Sequence, residues 1–149
     1  MSISQSAKTI WSKFMIDRNQ FGRVLDKVRI ISASDGRCRA ELKVSEEHSN
    51  SQGTLHGGLS ATIVDCVSTL ALVTHKRHAV GVSVDLHVTY LKGAAIGEDI
   101  LIEANTLRAG KNLAFLEVYI KKKDDGSIVA KGSHTKFVGN ESGNALDKI

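Results

Sequence analysis

A long segment almost without charge lies in the middle of this chain and limits what it can fold into. Between Glu47 and Lys76 the one formal charge is Asp65, and most other residues are apolar, small or hydroxyl-bearing. A helix from about His56 to about His75 would be apolar around nearly its whole circumference, so other structure has to wrap it. A carboxylate inside such a helix is costly unless chemistry needs it. We therefore expect Asp65 to be a buried catalytic residue.

The segments on either side of this helix have the two-residue periodicity of β-strands. Before the helix, residues 24–32 and 37–44 predict a hairpin across Ser34-Asp35-Gly36. After it, residues 80–91, 98–107, 111–123 and 127–138 predict four strands of an antiparallel meander. In the first of these four, alternation places Val82, Val84 and Leu86 on one face, with Ser83 and Asp85 on the other.

An apolar stripe at helical spacing predicts a further helix over residues 5–17. The fold class is therefore α+β, with an antiparallel sheet wrapped around a central helix and an extra N-terminal helix. We divide the chain into an N-terminal helix packed on the domain (1–20), a main domain (21–140) and a flexible tail (141–149). A single open sheet has exposed edges, so pairing of edge strands between copies predicts an oligomer.

Composition excludes several classes of function. The net charge is +4, but aromatic residues make up 5% and no basic stripe is interleaved with them, so nucleic acid is not an expected partner. No apolar run reaches the length of a membrane span. The two cysteines lie 28 residues apart, which favours neither a zinc site nor a disulfide framework and suits a reducing compartment. We expect an intracellular protein, cytoplasmic or mitochondrial.

The start of the central helix is a second candidate site. A helix N-terminus presents unpaired backbone N–H groups, and the glycines of His56-Gly57-Gly58 let a ligand approach them closely. Such a junction can hold a phosphate or polarise a carbonyl, or the glycines can simply permit tight packing. Asp65 lies eight residues beyond Gly57, roughly 12 Å along the helix. One small reacting centre could use both only if antiparallel helices of two subunits brought them together.

Two stretches carry a resemblance to a known family: Asn50-x-x-Gly-Thr-Leu-His56-Gly57-Gly58-x-x-Ala-Thr-x-x-Asp65, and Gly81-Val-Ser83-Val-Asp-Leu-His-Val-Thr-Tyr90. Together they resemble the hotdog-fold acyl-coenzyme A thioesterases, and the likeness runs from about residue 21 to about residue 140. It implies edge-to-edge dimers, usually two of them in a homotetramer. It also implies hydrolysis of medium- to long-chain fatty acyl-CoA in fatty acid metabolism, with no metal and no cofactor, since CoA is part of the substrate.

The same resemblance assigns roles to individual residues. Asp65 would deprotonate the attacking water, and Ser83 would help to hold that water. The Gly57 N–H and the Asn50 side chain would polarise the thioester carbonyl, and His56 would shape the site beside them. The substrate would contact Ser83, Tyr90, Leu91, Lys92, Gly93, Ala94, Ala95, Arg108, Ala109, Gly110, Lys111, Asn112, Leu113 and Phe137. The stretch 90–95 departs from the family pattern, in which a proline is common.

Two other functions stay open. A hydratase or dehydratase acting on acyl-CoA would use an Asp–His pair as acid and base, with His56 as the histidine. A non-catalytic module would bind an acyl chain or lipid without turning it over. A thiol nucleophile is disfavoured, because a buried Cys66 beside a carboxylate should have a raised pKa.

Overall fold

The fold is one six-stranded antiparallel sheet with one long helix on its inner face. The computed structural model describes residues 5–17, 19–76 and 80–139. Its helices are α1 (Gln5–Ile10), continued by a π-helical segment (Trp11–Met15), and α2 (Gly57–Val73), with short 3-10 turns at Phe21–Leu25 and Glu46–His48. Its strands are β1 (Arg29–Ser34), β2 (Arg37–Lys43), β3 (Val82–Tyr90), β4 (Asp99–Ala109), β5 (Leu113–Lys122) and β6 (Ile128–Phe137).

The order of the strands corrects the predicted meander. The order is β1-β2-β4-β5-β6-β3, so β4, β5 and β6 form a meander but β3 does not pair with β4. Helix α2 carries the chain across the inner face of the sheet, and β3 joins the far edge beside β6. The loop after β3 then returns along the segment before α2, where Leu55 donates its N–H to the Ala94 carbonyl. The two edges of the sheet are therefore β1 and β3.

The core lies between α2 and the inner face of the sheet. Its largest apolar cluster combines residues from α2 with the inward side chains of the strands. The predicted alternation in β2 is confirmed, since Cys38, Ala40 and Leu42 are buried. Ala7 and Ile10 of α1 join the same cluster, so the N-terminal helix packs on the domain.

Two strand predictions were wrong in detail. The first strand begins at Arg29, not at residue 24, because Leu25 and Val28 close a turn and are buried there. Strand β3 does not alternate strictly, because its register shifts between Ser83 and Asp85, which makes Val84 an extra, bulged residue. The bulge reverses the predicted facing: Ser83 lies on the same side as Leu86, and both turn towards α2.

The predicted α+β architecture is otherwise confirmed. The central helix spans nearly the predicted residues, and the later strands differ from their predicted bounds by one or two residues at most ends. Within the part of the chain that the structure describes, no helix is long and apolar enough to cross a membrane. The predicted tail, 141–149, lies outside the described residues. The division at residue 20 stays a prediction.

Candidate functional site

A buried polar cluster surrounds Asp65 where α2 crosses β3 and β6. His134 of β6 lies at its centre and is 1% exposed. Its Nδ1 is 2.8 Å from the Ser68 hydroxyl and its Nε2 is 2.8 Å from the Ser83 hydroxyl. The same Nε2 lies 3.8 Å from a carboxylate oxygen of Asp65. The structure therefore brings the predicted Asp65 and Ser83 together, with a histidine joining them.

A lysine completes this cluster. Lys136 is buried and donates from its Nζ to the Thr69 hydroxyl at 2.6 Å. Thr69 in turn donates to the main-chain carbonyl of Asp65, one helical turn earlier. Burial lowers the pKa of Lys136 to about 8, although the nearby Asp65 carboxylate works against that shift. Burial, and then the charge of Lys136, lower the pKa of His134 to about 4. Below, the base cluster means Asp65, Ser68, Thr69, Ser83, His134 and Lys136.

Sequence reasoning missed His134 and Lys136, although a signal was present. Residues 130, 132, 134, 136 and 138 share one face of a regular strand, and the first two are the small residues Ala130 and Gly132. Gly132 faces α2 so closely that an added Cβ would lie 2.5 Å from a methyl of Val64. A histidine and a lysine on an inward face are unusual enough to mark a site.

Asp65 is less buried than predicted. Its side chain is 47% exposed in the single chain, because α2 leaves one stripe of its surface uncovered by its own sheet. Gly58, Ala61, Thr62 and Cys66 lie on that stripe with it, at helical spacing, and all are exposed or half-buried. The prediction of a fully enclosed carboxylate was therefore wrong for one protomer.

Cys66, next to Asp65, is not equipped to act as a nucleophile. Burial, and then the charge of Asp65, raise the pKa of its thiol to about 12. The reactive thiolate is therefore scarce near neutral pH, as predicted.

The start of α2 forms a second group of candidate residues. His56 precedes the helix and its Nδ1 accepts the Gly58 N–H at 2.8 Å. Gly57 is the first residue of the helix, and its carbonyl accepts from the Tyr90 hydroxyl at 2.7 Å. A Cβ on Gly57 would lie 3.3 Å from the Tyr90 ring, so the glycine permits this close approach. The Gly57 N–H has no intrahelical partner and can donate to a ligand.

Asn50 lies in the loop that leads into this helix. Its Oδ1 accepts the Gln52 and Thr54 N–H groups at 3.0 and 3.2 Å, which closes a tight Asx-type loop. Its Nδ2 donates to the Thr54 hydroxyl at 3.0 Å, which uses one of its two hydrogens. The second hydrogen leaves Asn50 able to donate to a carbonyl, and its role in polarising the thioester stays a prediction.

The predicted substrate-binding residues fall into two separate places. Residues 90–95 comprise the last residue of β3 and the loop after it, and they lie against the Asn50 loop, where Thr54 and Ala95 form a β-bridge. Residues 108–113 span the end of β4, the turn and the first residue of β5, Leu113, which pairs with Phe137. Phe137 also pairs with Val82, at the opposite end of β3 from Tyr90. Strand geometry puts these two ends roughly 26 Å apart.

The same separation divides the predicted catalytic residues. Asn50, His56 and Gly57 lie with residues 90–95, and we call this group the helix-start group. Asp65 and Ser83 lie in the base cluster, towards the end of β3 where Val82 pairs with Phe137 of β6. Among the described residues, no three His, Cys, Asp or Glu side chains come together in a way that could hold a metal ion.

Comparison with known proteins supplies the family. The model of the family described as Thioesterase superfamily matches residues 52–129, just over half of the chain. The chain belongs to the thioesterase superfamily. The matched region runs from the loop before α2 into β6 and includes Gly57, Asp65 and Ser83. The predicted family is thus confirmed.

Relatives in this superfamily are similar over nearly their whole length. Human acyl-coenzyme A thioesterase 13 is 48% identical over 139 residues, which cover 93% of this chain and 99% of the relative. The crystal structure of zebrafish thioesterase superfamily member 2 superposes with a TM-score of 0.87 at 45% identity, covering 93% of this chain and 99% of that one. A Streptococcus pneumoniae hypothetical thioesterase, solved with coenzyme A, gives a TM-score of 0.73 at 25% identity and covers 78% and 88%. These neighbours confirm the hotdog fold.

Proposed function

We propose that this thioesterase hydrolyses medium- to long-chain fatty acyl-CoA to a fatty acid and free CoA, in sites shared between two subunits. The observation that carries the proposal is the division of the site. The carboxylate and its hydrogen-bonded partners lie towards one end of β3, and the helix-start group lies at the other. Neither group alone holds both the Asp65 carboxylate and the predicted donors to the carbonyl, the Gly57 N–H and the Asn50 amide.

A two-fold axis through β3 would unite the two groups. Two copies of an exposed edge strand pair antiparallel, so the Val82 end of one copy meets the Tyr90 end of the other. Asp65 of one subunit would then lie near the Gly57 position of the second. The stripe of α2 that carries Asp65 would also be covered, which gives the half-exposed carboxylate the enclosed setting that the sequence predicts.

The residues suit hydrolysis through an activated water. The Asp65 carboxylate takes a proton from water while the water oxygen forms a bond to the thioester carbon. The Gly57 N–H and the Asn50 amide stabilise the negative charge that develops on the carbonyl oxygen. The C–S bond then breaks, and the thiolate of CoA takes up the proton that Asp65 accepted from the water. The products are a fatty acid and CoA thiol, and no step requires a metal or cofactor.

Hydrogen bonding in the base cluster would direct Ser83 towards the water. The Ser68 hydroxyl donates to the Asp65 carbonyl, so it accepts from His134 Nδ1–H. Nε2 is then unprotonated and accepts the Ser83 hydroxyl hydrogen. This assignment, made from the donors, leaves the lone pairs of Ser83 to accept a hydrogen bond from the attacking water.

Charge and position favour CoA at the turn regions. Phosphate groups bind Lys and Arg side chains, and Lys92, Arg108 and Lys111 lie in the two predicted binding segments. The coenzyme A-bound structure of the streptococcal relative supports the same ligand. A pairing across β3 would also place residues 90–95 of one subunit near residues 108–113 and Phe137 of the other.

One observation favours the hydratase alternative, but others count against it. An Asp–His pair exists, since His134 Nε2 lies 3.8 Å from Asp65. However, both ring nitrogens of His134 are engaged by serines, and burial and the charge of Lys136 lower its pKa to about 4, so near neutral pH it carries no extra proton to donate as an acid. His56, the histidine first considered, accepts a hydrogen bond at the other end of the site.

The proposed dimer also has a surface on which two dimers could join. Exposed apolar side chains on the outer face of the sheet suit a second contact between dimers, and hence a homotetramer: Leu113, Phe115 and Phe137. Sedimentation equilibrium would distinguish dimer from tetramer.

Two free cysteines, Cys38 and Cys66, suit a reducing compartment in the cytoplasm or mitochondrion.

Release of free thiol from palmitoyl-CoA tests the function directly. We expect the wild type to turn over, and Asp65→Asn to lose about 10²- to 10⁴-fold in kcat with little change in KM, because only the base is removed. Asp124→Asn, an exposed aspartate in the β5–β6 turn, is the matched control and should keep full activity. Binding of palmitoyl-CoA without turnover by the wild type would favour the binding module. A series of chain lengths would then define the acyl preference.

A further inference from the structure

The proposed reaction makes no use of Lys136, the residue of the site whose burial as a cation costs the most free energy. Its side chain is 4% exposed, and its ammonium donates to the Thr69 hydroxyl at 2.6 Å. Lys136 lies directly opposite Ser83 in the β3–β6 ladder, so the two side chains are neighbours on the inward face. A buried lysine that contacts the site without touching the reacting atoms needs a separate explanation.

Stability alone does not explain this lysine. Burial lowers its pKa from 10.5 to about 8, which means that the fold disfavours the charge it holds at neutral pH. A methionine of similar length could fill the same space without that cost. A chain that retains a destabilising cation beside its candidate base indicates that the charge serves the chemistry.

The charge of Lys136 acts on His134, which lies two residues earlier on the same face of β6. Burial is the largest cause of its lowered pKa, and the charge of Lys136 is the second. The Asp65 and Asp85 carboxylates act in the opposite direction. On the other elements packed against His134, α2 adds the Cys66 thiol, whose own pKa is raised to about 12, and β5 places Leu116 opposite the histidine.

A proton on His134 would disable the proposed site in two ways. Protonated Nε2 would no longer accept from the Ser83 hydroxyl, which lies 2.8 Å away. It would also become a cation 3.8 Å from the Asp65 carboxylate and would hold that carboxylate in an ion pair. The base would then be less available to water, and Ser83 would turn its hydrogen away from the histidine.

We propose that Lys136 is a positioning residue whose buried ammonium, anchored on Thr69, keeps a proton off His134 and so keeps Asp65 and Ser83 ready to receive water. This inference rests on the proposed hydrolysis for its purpose. Its physical content, an electrostatic coupling between Lys136 and His134, holds or fails independently of any substrate.

NMR titration of the His134 ring tests the coupling without substrate. The resonance is assigned by its loss in His134→Gln. We expect the pKa of His134 to be about 4 in the wild type and to move towards its ordinary 6.5 in Lys136→Met. Lys131→Met is the matched control, because Lys131 lies on the same strand but is exposed. An unchanged His134 titration in Lys136→Met, or an ordinary pKa in the wild type, would overturn the inference.

The pH dependence of kcat then tests whether the charge of Lys136 serves the hydrolysis. Lys136→Met should match the wild type within about twofold near pH 8, but fall about threefold below it near pH 5, where a larger share of its His134 carries a proton although burial still opposes that proton. Lys136→Arg, which keeps the charge, should restore the wild-type profile. An equal loss at every pH, with a lower unfolding midpoint, would mean that Lys136 is merely structural.

Two further comparisons keep the test decisive. Lys136→Gln replaces Lys136→Met if the methionine variant does not fold, with the same expected shift of the His134 pKa. If the wild type releases no thiol from palmitoyl-CoA, the proposed hydrolysis fails, but the titration still decides whether Lys136 controls His134.

Discussion

The two edges of the sheet are built differently. The β1 edge spans six residues and its outermost residue, Arg29, forms an ion pair with Glu41 of the neighbouring strand. The β3 edge spans nine residues and exposes Val82, Val84 and Leu86. Short edges resist pairing with another chain, whereas long edges with exposed apolar side chains favour it. The difference favours β3 over β1 as the edge strand of the proposed dimer.

The same contrast applies to the chemistry. Every candidate catalytic residue lies near β3 or on the stripe of α2 beside it, and none lies on β1. Strand β3 itself supplies Ser83 at one end and Tyr90 at the other. Its pairing edge and its site residues are therefore parts of one surface, and loss of one should disable the other.

Matched substitutions at the two edges should give the largest difference. Val84 is 62% exposed at the bulge of β3, and Ile31 is 36% exposed at the register shift of β1. Val84→Lys would place two ammonium groups at a two-fold contact, so we expect monomers by sedimentation and loss of most palmitoyl-CoA hydrolysis. Ile31→Lys should keep both the assembly and the rate. Full activity in a Val84→Lys monomer would refute the shared site.

Serines on the two edge strands sharpen the comparison with a smaller effect. Ser83→Ala removes the hydroxyl beside His134, and we expect kcat to fall about tenfold because the water loses one orienting acceptor. Ser32→Ala changes a buried serine of β1 and should leave kcat unchanged. Equal rates for Ser83→Ala and the wild type would remove Ser83 from the mechanism.

The pH dependence of the free energy of unfolding should also arise on the β3 side of the sheet, from His134 of the neighbouring strand β6. The pKa of His134 is lowered from 6.5 to about 4, so between these values the unfolded chain binds more protons than the folded one. The free energy of unfolding should therefore fall as pH drops from about 6.5 towards about 4. His134→Gln should flatten that window in urea titrations. Ser133→Ala, the exposed neighbour, should leave the slope unchanged; a slope that survives in His134→Gln would assign it to other groups.

Sequence reasoning succeeded where local pattern decides the structure. The segment whose one charge is Asp65 correctly predicted the central helix, and the glycines after His56 marked its start within one residue. The alternation in residues 37–44 correctly predicted strand β2 and which of its faces is buried. In each case, the signal and the structure it specifies lie within the same few residues.

Sequence reasoning failed where contacts between residues far apart in the chain determine the structure. A bulge at Val84 is set by pairing with β6, and it turns Ser83 to the face opposite the one that simple alternation assigns. The position of β3 beside β6 also depends on the path of α2 across the sheet. His134 and Lys136 gain their importance only because that path brings Asp65 over them.

The central claim is that Asp65 and the helix-start group of one site come from different subunits. Asp65→Asn and Asn50→Ala, each nearly inactive alone, can be coexpressed in equal amounts and assayed for thiol release from palmitoyl-CoA. Random assembly would give about a quarter of the sites a wild-type Asp65 from one chain and a wild-type Asn50 from the other, and hence about a quarter of the wild-type rate. A mixture no faster than its two parent variants would contradict the account.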